Sequence, residues 1–555
     1  MPPSSLRVVY AFAREMYPKN SDVFIQYGTA GFRTKANLLE HVVYRMGLLA
    51  VIRSRVKNGR TVGMMITASH NLEPDNGVKL VDPDGEMLEE SWEEIATRLA
   101  NVSDNDLEST TAEIIKQVNA DMSLKASVFI GMDTRYTSPR LAAAAANGVI
   151  ALKGTPKEFG IVTTPMLHFF VKCRNDNRYG TPTEEGYYDK IVGAFKAFCQ
   201  KLPVFGDYNT TLYVDGANGV GGKKLNIIKK SLDGELDLHL FNLGGNGGKL
   251  NLNCGADFVK VSQSPPAGAE LAPLQRAAAL DGDGDRIVYY YIDHNNEMQL
   301  LDGDRIATLL AGYIAELLRA CGASHINIGL VQTAYANGAS TKYITEHLKV
   351  PVSCVKTGVK HLHRAAQAFD IGVYFEANGH GTVLYSDRAH ADIRSIARDG
   401  VNVIVRSDPE QRAAAQLLCH VADMTNQTVG DAVSDLLLAE AALRARGLHV
   451  ARWARAYRDL PCRQLKLLVE DRNVISTTDA ERKCTSPEGL QTKIDELVAK
   501  YNSGRAFVRP SGTEDIVRVY AEADTRTAAD TLAAEVAQAV FDLAGGRGER
   551  PVLPA

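Results

Sequence analysis

A chain of 555 residues with 45% hydrophobic content can bury several cores, and at roughly 150 residues per domain it divides into about three or four domains. Its 62 basic and 66 acidic residues leave a net charge of -4, so no overall positive field holds nucleic acid or an anionic membrane, and any anion must be bound locally. The 8 cysteines are scattered, with no CxxC pair and no metal-ligand spacing, which argues against a cysteine-held metal and fits a reducing compartment. The first twenty residues lack a basic segment followed by an apolar one, and the apolar stretch from Ile306 is interrupted by Glu316. The expected location is the cytoplasm, with no membrane partner.

In chain order, apolar runs at 61–66, 127–132 and 211–214 are predicted strands ending in polar or glycine-rich loops, alternating with helical patterns. A break near Leu202 and Pro203 marks a domain boundary, after which Gly216, Gly219, Gly221 and Gly222 open a helix from Lys223. A strand at 287–292 and a polar turn at 293–296 lead into a helix at 305–319, where a third domain begins. Its strands fall at 326–331 and 372–375, followed by a long helical tract from Ala389 to about Arg446 that reads as a connector. The last part reads strand (465–469), helix (491–501), strand, loop, strand (516–521), helix (526–543), a compact α+β module. The expected domains are 1–203, 204–300, 301–448 and 449–555, with a frayed tail from Gly545.

Four loops carry chemistry. Thr67-Ala68-Ser69-His70-Asn71 follows an apolar strand, so Ser69 falls at a strand's carboxyl end, where α/β sheets bind ligands; alone it is equally an ordinary loop serine. Asp281-Gly282-Asp283-Gly284-Asp285-Arg286 sets carboxylates at every second residue, which in an extended segment project to one side as hard oxygen ligands. An EF-hand would need Gly at its sixth position and Glu at its twelfth, whereas Arg286 and Ile292 stand there, so magnesium is favoured over calcium. Glu376-Ala377-Asn378-Gly379-His380-Gly381 offers donors and acceptors to sugar hydroxyls, although an Asn-Gly hairpin turn explains it equally well. Arg509-Pro510-Ser511-Gly512-Thr513, with Arg518 nearby, combines a guanidinium, two hydroxyls and freed backbone N–H groups, which are phosphate-binding parts. The segment 356–361, with Thr357, Gly358 and His361, is similarly suggestive and similarly unspecific by itself. The glycine-rich stretches at 216–222 and 244–248 do not give G-x-G-x-x-G where a strand meets a helix, so a nucleotide fold is unsupported.

TASHN at 67–71, DGDGDR at 281–286, EANGHG at 376–381 and RPSGTED at 509–515, in this order, resemble the α-D-phosphohexomutase superfamily. YGTAGFR at 27–33, CGADFVK at 254–260, TGVKHLH at 357–363 and NQTVGDAVSDLL at 426–437 make the chain similar to its phosphoacetylglucosamine mutase family. The resemblance implies a four-domain architecture, three related α/β domains plus a smaller α+β C-terminal domain around one central cleft. It implies that Ser69 carries a phosphoryl group and that Asp281, Asp283 and Asp285 hold Mg²⁺ together with a phosphoserine oxygen. Glu376, Ala377, Asn378 and His380 would face the sugar with Thr357, Gly358 and Arg286. Arg509, Pro510, Ser511, Gly512, Thr513 and Arg518 would grip the phosphate that is not transferred. Arg33, His70, Lys79 and His361 match positions near the reacting group, with acid and base roles unassigned.

The implied reaction interconverts N-acetylglucosamine 6-phosphate and 1-phosphate through a 1,6-bisphosphate, feeding UDP-N-acetylglucosamine synthesis. Its partner is a small phosphosugar, and the oligomeric state stays open. A glucose- or mannose-phosphate mutase, a phosphomonoesterase and a non-catalytic phosphosugar-binding protein are the alternatives. Two positions depart from the family pattern: Leu72 stands for the common Pro and Gly284 for the common Ala, both expected to loosen their loops without removing a ligand.

Overall fold

The computed structural model describes residues 11–245, 247–398, 408–511 and 515–553. They form two compact units, the first comprising Met1–Asp302, Asn378–Thr382 and Gln416–Ala451, the second Gly303–Ala377, Val383–Ala415 and Arg452–Ala555.

The first unit contains two five-stranded sheets. One holds β1 (Phe32–Lys35), β2 (Val62–Ile66), β3 (Asp75–Val81), β4 (Ser127–Met132) and β5 (Thr155–Ile161) in the order β1-β3-β2-β4-β5. Every residue of β2 is buried, which its apolar sequence permits because the helices Glu40–Val56 and Thr164–Asn175 pack against it. The second sheet holds β6 (Thr211–Asp215), β7 (Asp237–Phe241), β8 (Ala277–Leu280), β9 (Ile287–Ile292) and β10 (Met298–Leu301) in the order β10-β9-β8-β6-β7. Both sheets follow one plan. A central strand, β2 or β8, has two strands in parallel pairing on one side and, on the other, the antiparallel strand that follows it in sequence.

A four-stranded sheet holds β11 (Ile328–Thr333), β12 (Val352–Val355) and β13 (Ile371–Phe375) of the second unit and β14 (Gly381–Tyr385), whose last three residues belong to that unit, in the order β12-β11-β13-β14, with β11 parallel to both β12 and β13. The strand order repeats that of the first two sheets with one edge strand fewer. A smaller antiparallel sheet runs β15-β19-β18, from β15 (Cys462–Leu468), β18 (Arg505–Pro510) and β19 (Ile516–Glu522), and a hairpin joins β16 (Ser476–Thr478) to β17 (Lys483–Ser486). The helices Leu490–Val498 and Arg526–Leu543 close its core over Val508, Val517 and Val519.

The topology therefore gives the four chemistry-bearing loops one address: the connection from a strand to its next-in-sequence neighbour, β2 to β3, β8 to β9, β13 to β14 and β18 to β19. This is the mixed α/β architecture expected from the sequence.

The tract from Ala389 to Arg446 is not one helix. The helix Asp387–Ala397 is followed by Pro409–Asp423 and, after a loop, by Ala432–Ala445, capped by the Asp431 carboxylate on the N–H groups of Val433 and Ser434. Apolar periodicity continues across the break; Asn426, Thr428 and Gly430 cause it. Nor is the last helix a free connector. Buried Glu440 accepts from Arg276 at 2.6 and 2.9 Å and from Tyr208 at 2.8 Å, and periodicity says nothing of such partners. All eight cysteines are free thiols. Among the described residues no helix is long and apolar enough to cross a membrane.

Candidate active site

The serine loop is held on every side. Ser69 is 1% exposed and sits at φ +47°, a left-handed conformation that costs a non-glycine residue about 1 kcal/mol or more. Hydrogen bonds hold it there. The Ser69 N–H donates to Thr67 Oγ1 at 2.9 Å, and that hydroxyl donates to Asp133 Oδ2 at 2.8 Å. Arg135, paired with Asp133, donates to the carbonyls of Ser69 (3.3 Å) and Asn71 (2.5 Å), which also accept from Asn251 at 2.9 and 3.0 Å. The Ser69 hydroxyl is left to donate to Asp283 Oδ2 at 3.0 Å. Leu72, half-exposed, lies outside this network, so its replacement of Pro leaves the serine's anchors intact.

Asp281, Asp283 and Asp285 are buried and offer oxygens all within 4.8 Å of one another. They do not converge by extended alternation. The loop is a tight turn closed by the Gly284 N–H on the Asp281 carbonyl (3.2 Å), with Gly284 at φ +74°. A glycine is what this conformation favours, so Gly284 shapes the turn rather than loosening it. The backbone N–H groups of Asp285 and Arg286 donate to Asp281 Oδ1 at 3.0 and 3.2 Å. Thr164, at the start of a helix, donates its hydroxyl to Asp283 Oδ2 at 2.6 Å, and Lys79 reaches Asp283 and Asp285 at 3.0 Å each. Gly379 (φ +90°) passes so close to Ile287 that an added Cβ would lie 1.9 Å from its carbonyl oxygen, which brings His380 Nδ1 to 3.6 Å from Asp285 Oδ1.

Each acid keeps one buried oxygen without a hydrogen-bond partner: Asp281 Oδ2, Asp283 Oδ1 and Asp285 Oδ1. Three hard oxygens free of hydrogen bonds on one turn, Asp285 Oδ1 with His380 and Arg286 only at ion-pair distance, fit a hard divalent cation such as Mg²⁺. Burial, followed by the charges of Asp285 and Asp283, holds the Asp281 carboxyl well above the usual carboxylate range. Asp285 is held well below it: burial opposes this, but Lys79 and then His380 outweigh it. For Lys79, burial is outweighed by Asp283 and Asp285, so it stays a cation. Burial, Arg286 and Arg33 push His70 down to about 2, which makes it a neutral imidazole, and its Nδ1 is buried without a partner. Arg33 lies on β1 and reaches Asn71 Oδ1 at 3.4 Å, while Arg286 stands 3.8 Å from both Asp285 and Asp257. The first unit thus brings together Ser69, His70, Lys79, Arg33, Arg286, the three acids and His380.

In the second unit Arg509 and Arg518 are direct cross-strand partners, and Lys466 on β15 faces Arg518 from the other side. Like charges placed opposite one another in a sheet are destabilising, so this row of cations points to an anionic ligand. Ser511 is buried, with its N–H on the Ile516 carbonyl at 2.8 Å; Gly512 and Thr513 lie outside the described residues. Thr357 donates its N–H to Glu481 Oε2 at 2.8 Å, Gly358 takes φ +127°, and His361 stands in the first turn of the helix Val359–Ala366. Glu376 and Ala377 belong to the second unit, whereas Asn378, which accepts from the His380 N–H at 3.0 Å, belongs to the first.

Sequence reasoning missed Thr67, Asp133, Arg135, Thr164, Asn251, Lys466 and Glu481. Asp133 and Thr164 were within reach, since each follows a strand's carboxyl end as Ser69 does. Thr67 stood inside the TASHN loop without a role of its own, and no local signal marks the others.

A buried serine facing a divalent-cation site, a separate cationic row and one loop address repeated in four sheets define a phosphohexomutase. Family models agree along the chain: phosphoglucomutase/phosphomannomutase α/β/α domain I over residues 42–106 and 97–178, phosphoacetylglucosamine mutase AMG1 domain II over 179–288, AMG1 domain III over 302–448 and the phosphoglucomutase/phosphomannomutase C-terminal domain over 469–539. Human phosphoacetylglucosamine mutase is 52% identical over 97% of this chain and 97% of its own, and the Arabidopsis thaliana enzyme 43% identical over 96% and 97%. The crystal structure of Aspergillus fumigatus N-acetylphosphoglucosamine mutase in complex with GlcNAc-6P and magnesium superposes with a TM-score of 0.91 at 47% identity, covering 98% of this chain and 99% of that one. This chain belongs to the phosphoacetylglucosamine mutase family.

Proposed function

We propose that the protein interconverts N-acetylglucosamine 6-phosphate and N-acetylglucosamine 1-phosphate by intramolecular phosphoryl transfer, with Ser69 as the carrier. The observation that carries this reading is the Ser69 hydroxyl, fixed 3.0 Å from Asp283, with the Ser69 backbone tied by three hydrogen bonds to Thr67, Arg135 and Asn251 and the Asn71 carbonyl by two more to Arg135 and Asn251. Phosphoryl transfer is chiefly positioning and charge neutralisation, and those are what the site supplies.

Asp281, Asp283 and Asp285 would hold Mg²⁺, which neutralises charge on the phosphoryl oxygens. The P–O bond to Ser69 Oγ breaks as a sugar hydroxyl forms its own, giving a 1,6-bisphosphate; after the sugar turns over, its other phosphate returns to Ser69. Lys79, kept protonated, adds positive charge beside the acids; His70, pushed down to about 2, stays a neutral and weak base, and the proton released by the attacking hydroxyl is balanced by the one that Ser69 Oγ regains as it leaves phosphorus. Arg33 and Arg286 bring further positive charge, with His361 assigned to the same neighbourhood. Glu376, Ala377, Asn378 and His380 contact the sugar with Thr357 and Gly358. Arg509 to Thr513 and Arg518 hold the phosphate that is not reacting.

The division into domains 1–203, 204–300, 301–448 and 449–555 then assigns one loop to each. We place the enzyme in the cytoplasm, supplying sugar 1-phosphate for UDP-N-acetylglucosamine synthesis. A coupled assay with trace bisphosphate tests the reading: kcat/KM should be higher for N-acetylglucosamine 6-phosphate than for glucose 6-phosphate. Equal or better efficiency with glucose 6-phosphate refutes the substrate.

A further inference from the structure

Glu481 has no role in the reaction described above, yet the second unit goes to some length to place it. It stands at the tip of the β16–β17 hairpin, where Asp479, Ala480 and Glu481 take φ of +51°, +55° and +67° in succession. None is a glycine, and each left-handed residue costs about 1 kcal/mol. Its side chain is only 14% exposed. One carboxylate oxygen accepts the Thr357 N–H at 2.8 Å and the other lies 3.3 Å from Arg509 Nε. Beside the pair, Thr357 Oγ1 is buried without a hydrogen-bond partner among the described residues, and the Arg509 guanidinium lies 5.9 Å from the Tyr335 ring.

A carboxylate beside a guanidinium that must bind phosphate acts in two ways. It draws the guanidinium towards itself by ion pairing, leaving the far edge for the ligand. It also sets a permanent negative charge next to the incoming dianion and spends part of the arginine's charge, which weakens the grip. For most phosphate sites the second effect is a defect. A mutase whose bisphosphate must leave the clamp, turn over and be gripped again by its other phosphate needs a clamp that lets go.

We propose that Glu481 is a positioning residue of the phosphate clamp: it orients Arg509 and, as a fixed rival anion, limits how tightly the clamp holds, so that the bisphosphate reorients. This rests on the reading of Arg509 and its turn as the phosphate clamp. Glu481→Gln removes the charge and keeps an oxygen to accept the Thr357 N–H. In a Ser69→Ala background, which blocks turnover, calorimetry with N-acetylglucosamine 6-phosphate should show binding tightened by roughly tenfold in Glu481→Gln, shrinking as salt is raised. With Ser69 present, the same substitution should lower KM and kcat together, and Glu481→Asp should restore both towards the parent. Damage to the hairpin gives the opposite sign, so tightening is not an outcome that misfolding produces. Unchanged or weakened binding in Glu481→Gln overturns the proposal. Arg509→Ala separates this from the reading beneath it: if that variant binds as well as its parent, the clamp itself is misassigned; if it binds more weakly while Glu481→Gln is neutral, only Glu481's role falls.

Discussion

The serine-and-acid cluster of the first unit and the proposed clamp of the second are built by opposite means. Around Ser69 the polar groups are buried or half-buried and tied down: Thr67, Arg135 and Asn251 hold the loop's backbone, Asp133 braces Thr67 and Arg135, and Thr164 and Lys79 hold Asp283. In the proposed clamp Arg518 is exposed, as is Lys466 opposite it, and Arg509 lies between the Glu481 carboxylate and the Tyr335 ring. The difference follows from the two tasks. Chemistry at one phosphorus atom needs groups fixed to a fraction of an ångström, whereas a clamp that must take either end of a sugar bisphosphate needs charge and the freedom to release.

The largest effect that tests this contrast is a split in kinetic constants. Asp283→Asn should cut kcat by about a thousandfold or more, since Asp283 contacts both Ser69 and the cation site. Arg518→Ala should act mainly through affinity, by roughly ten- to a hundredfold, the loss of one charge-assisted hydrogen bond. Steady-state assays of the two variants decide it; a clamp variant that loses kcat as severely as Asp283→Asn breaks the division of labour.

A smaller effect concerns burial. His41, 6% exposed in the helix Glu40–Val56 of the first unit, is pushed down to about 4 by burial and then by Arg45, against Asp104. A depressed folded-state value means the unfolded chain binds the proton first, so this contribution to stability is complete above pH 6.5 and is lost as pH falls towards 4. Between pH 7 and pH 4.5 it amounts to about 2–3 kcal/mol. His41→Gln should flatten the fall in urea-unfolding stability over that window; an unaltered pH profile removes His41 from the account.

The strands and their loops were legible in the sequence because β2, β4 and β9 are short apolar runs covered on both faces, which look like nothing else. Ser69 and the three aspartates were legible because each loop begins where such a run stops. What escaped lies in tertiary contact or in backbone sign. Arg135 and Asn251 reach the serine loop across 66 and 182 residues, and no local pattern announces that. The turn at Gly284 was read as extended, since alternating acids fit either geometry and only φ +74° separates them. The β16–β17 hairpin is short, polar and turns on three left-handed non-glycine residues, so neither periodicity nor Asn-Gly chemistry marks it. The helix Ala432–Ala445 showed its period but not its partner, because helical spacing does not say that Glu440 will meet Arg276.

The central claim, that Ser69 carries the phosphoryl group between the two ends of the sugar, is tested most directly by following the phosphorus. The protein is incubated with Mg²⁺ and glucose 1,6-bisphosphate labelled with radioactive phosphate, digested, and its labelled peptide sequenced by mass spectrometry. The account predicts label on Ser69, lost when unlabelled N-acetylglucosamine 6-phosphate is added and recovered in a sugar bisphosphate, with no label in Ser69→Ala. Label on another residue, or turnover persisting in Ser69→Ala, would contradict it.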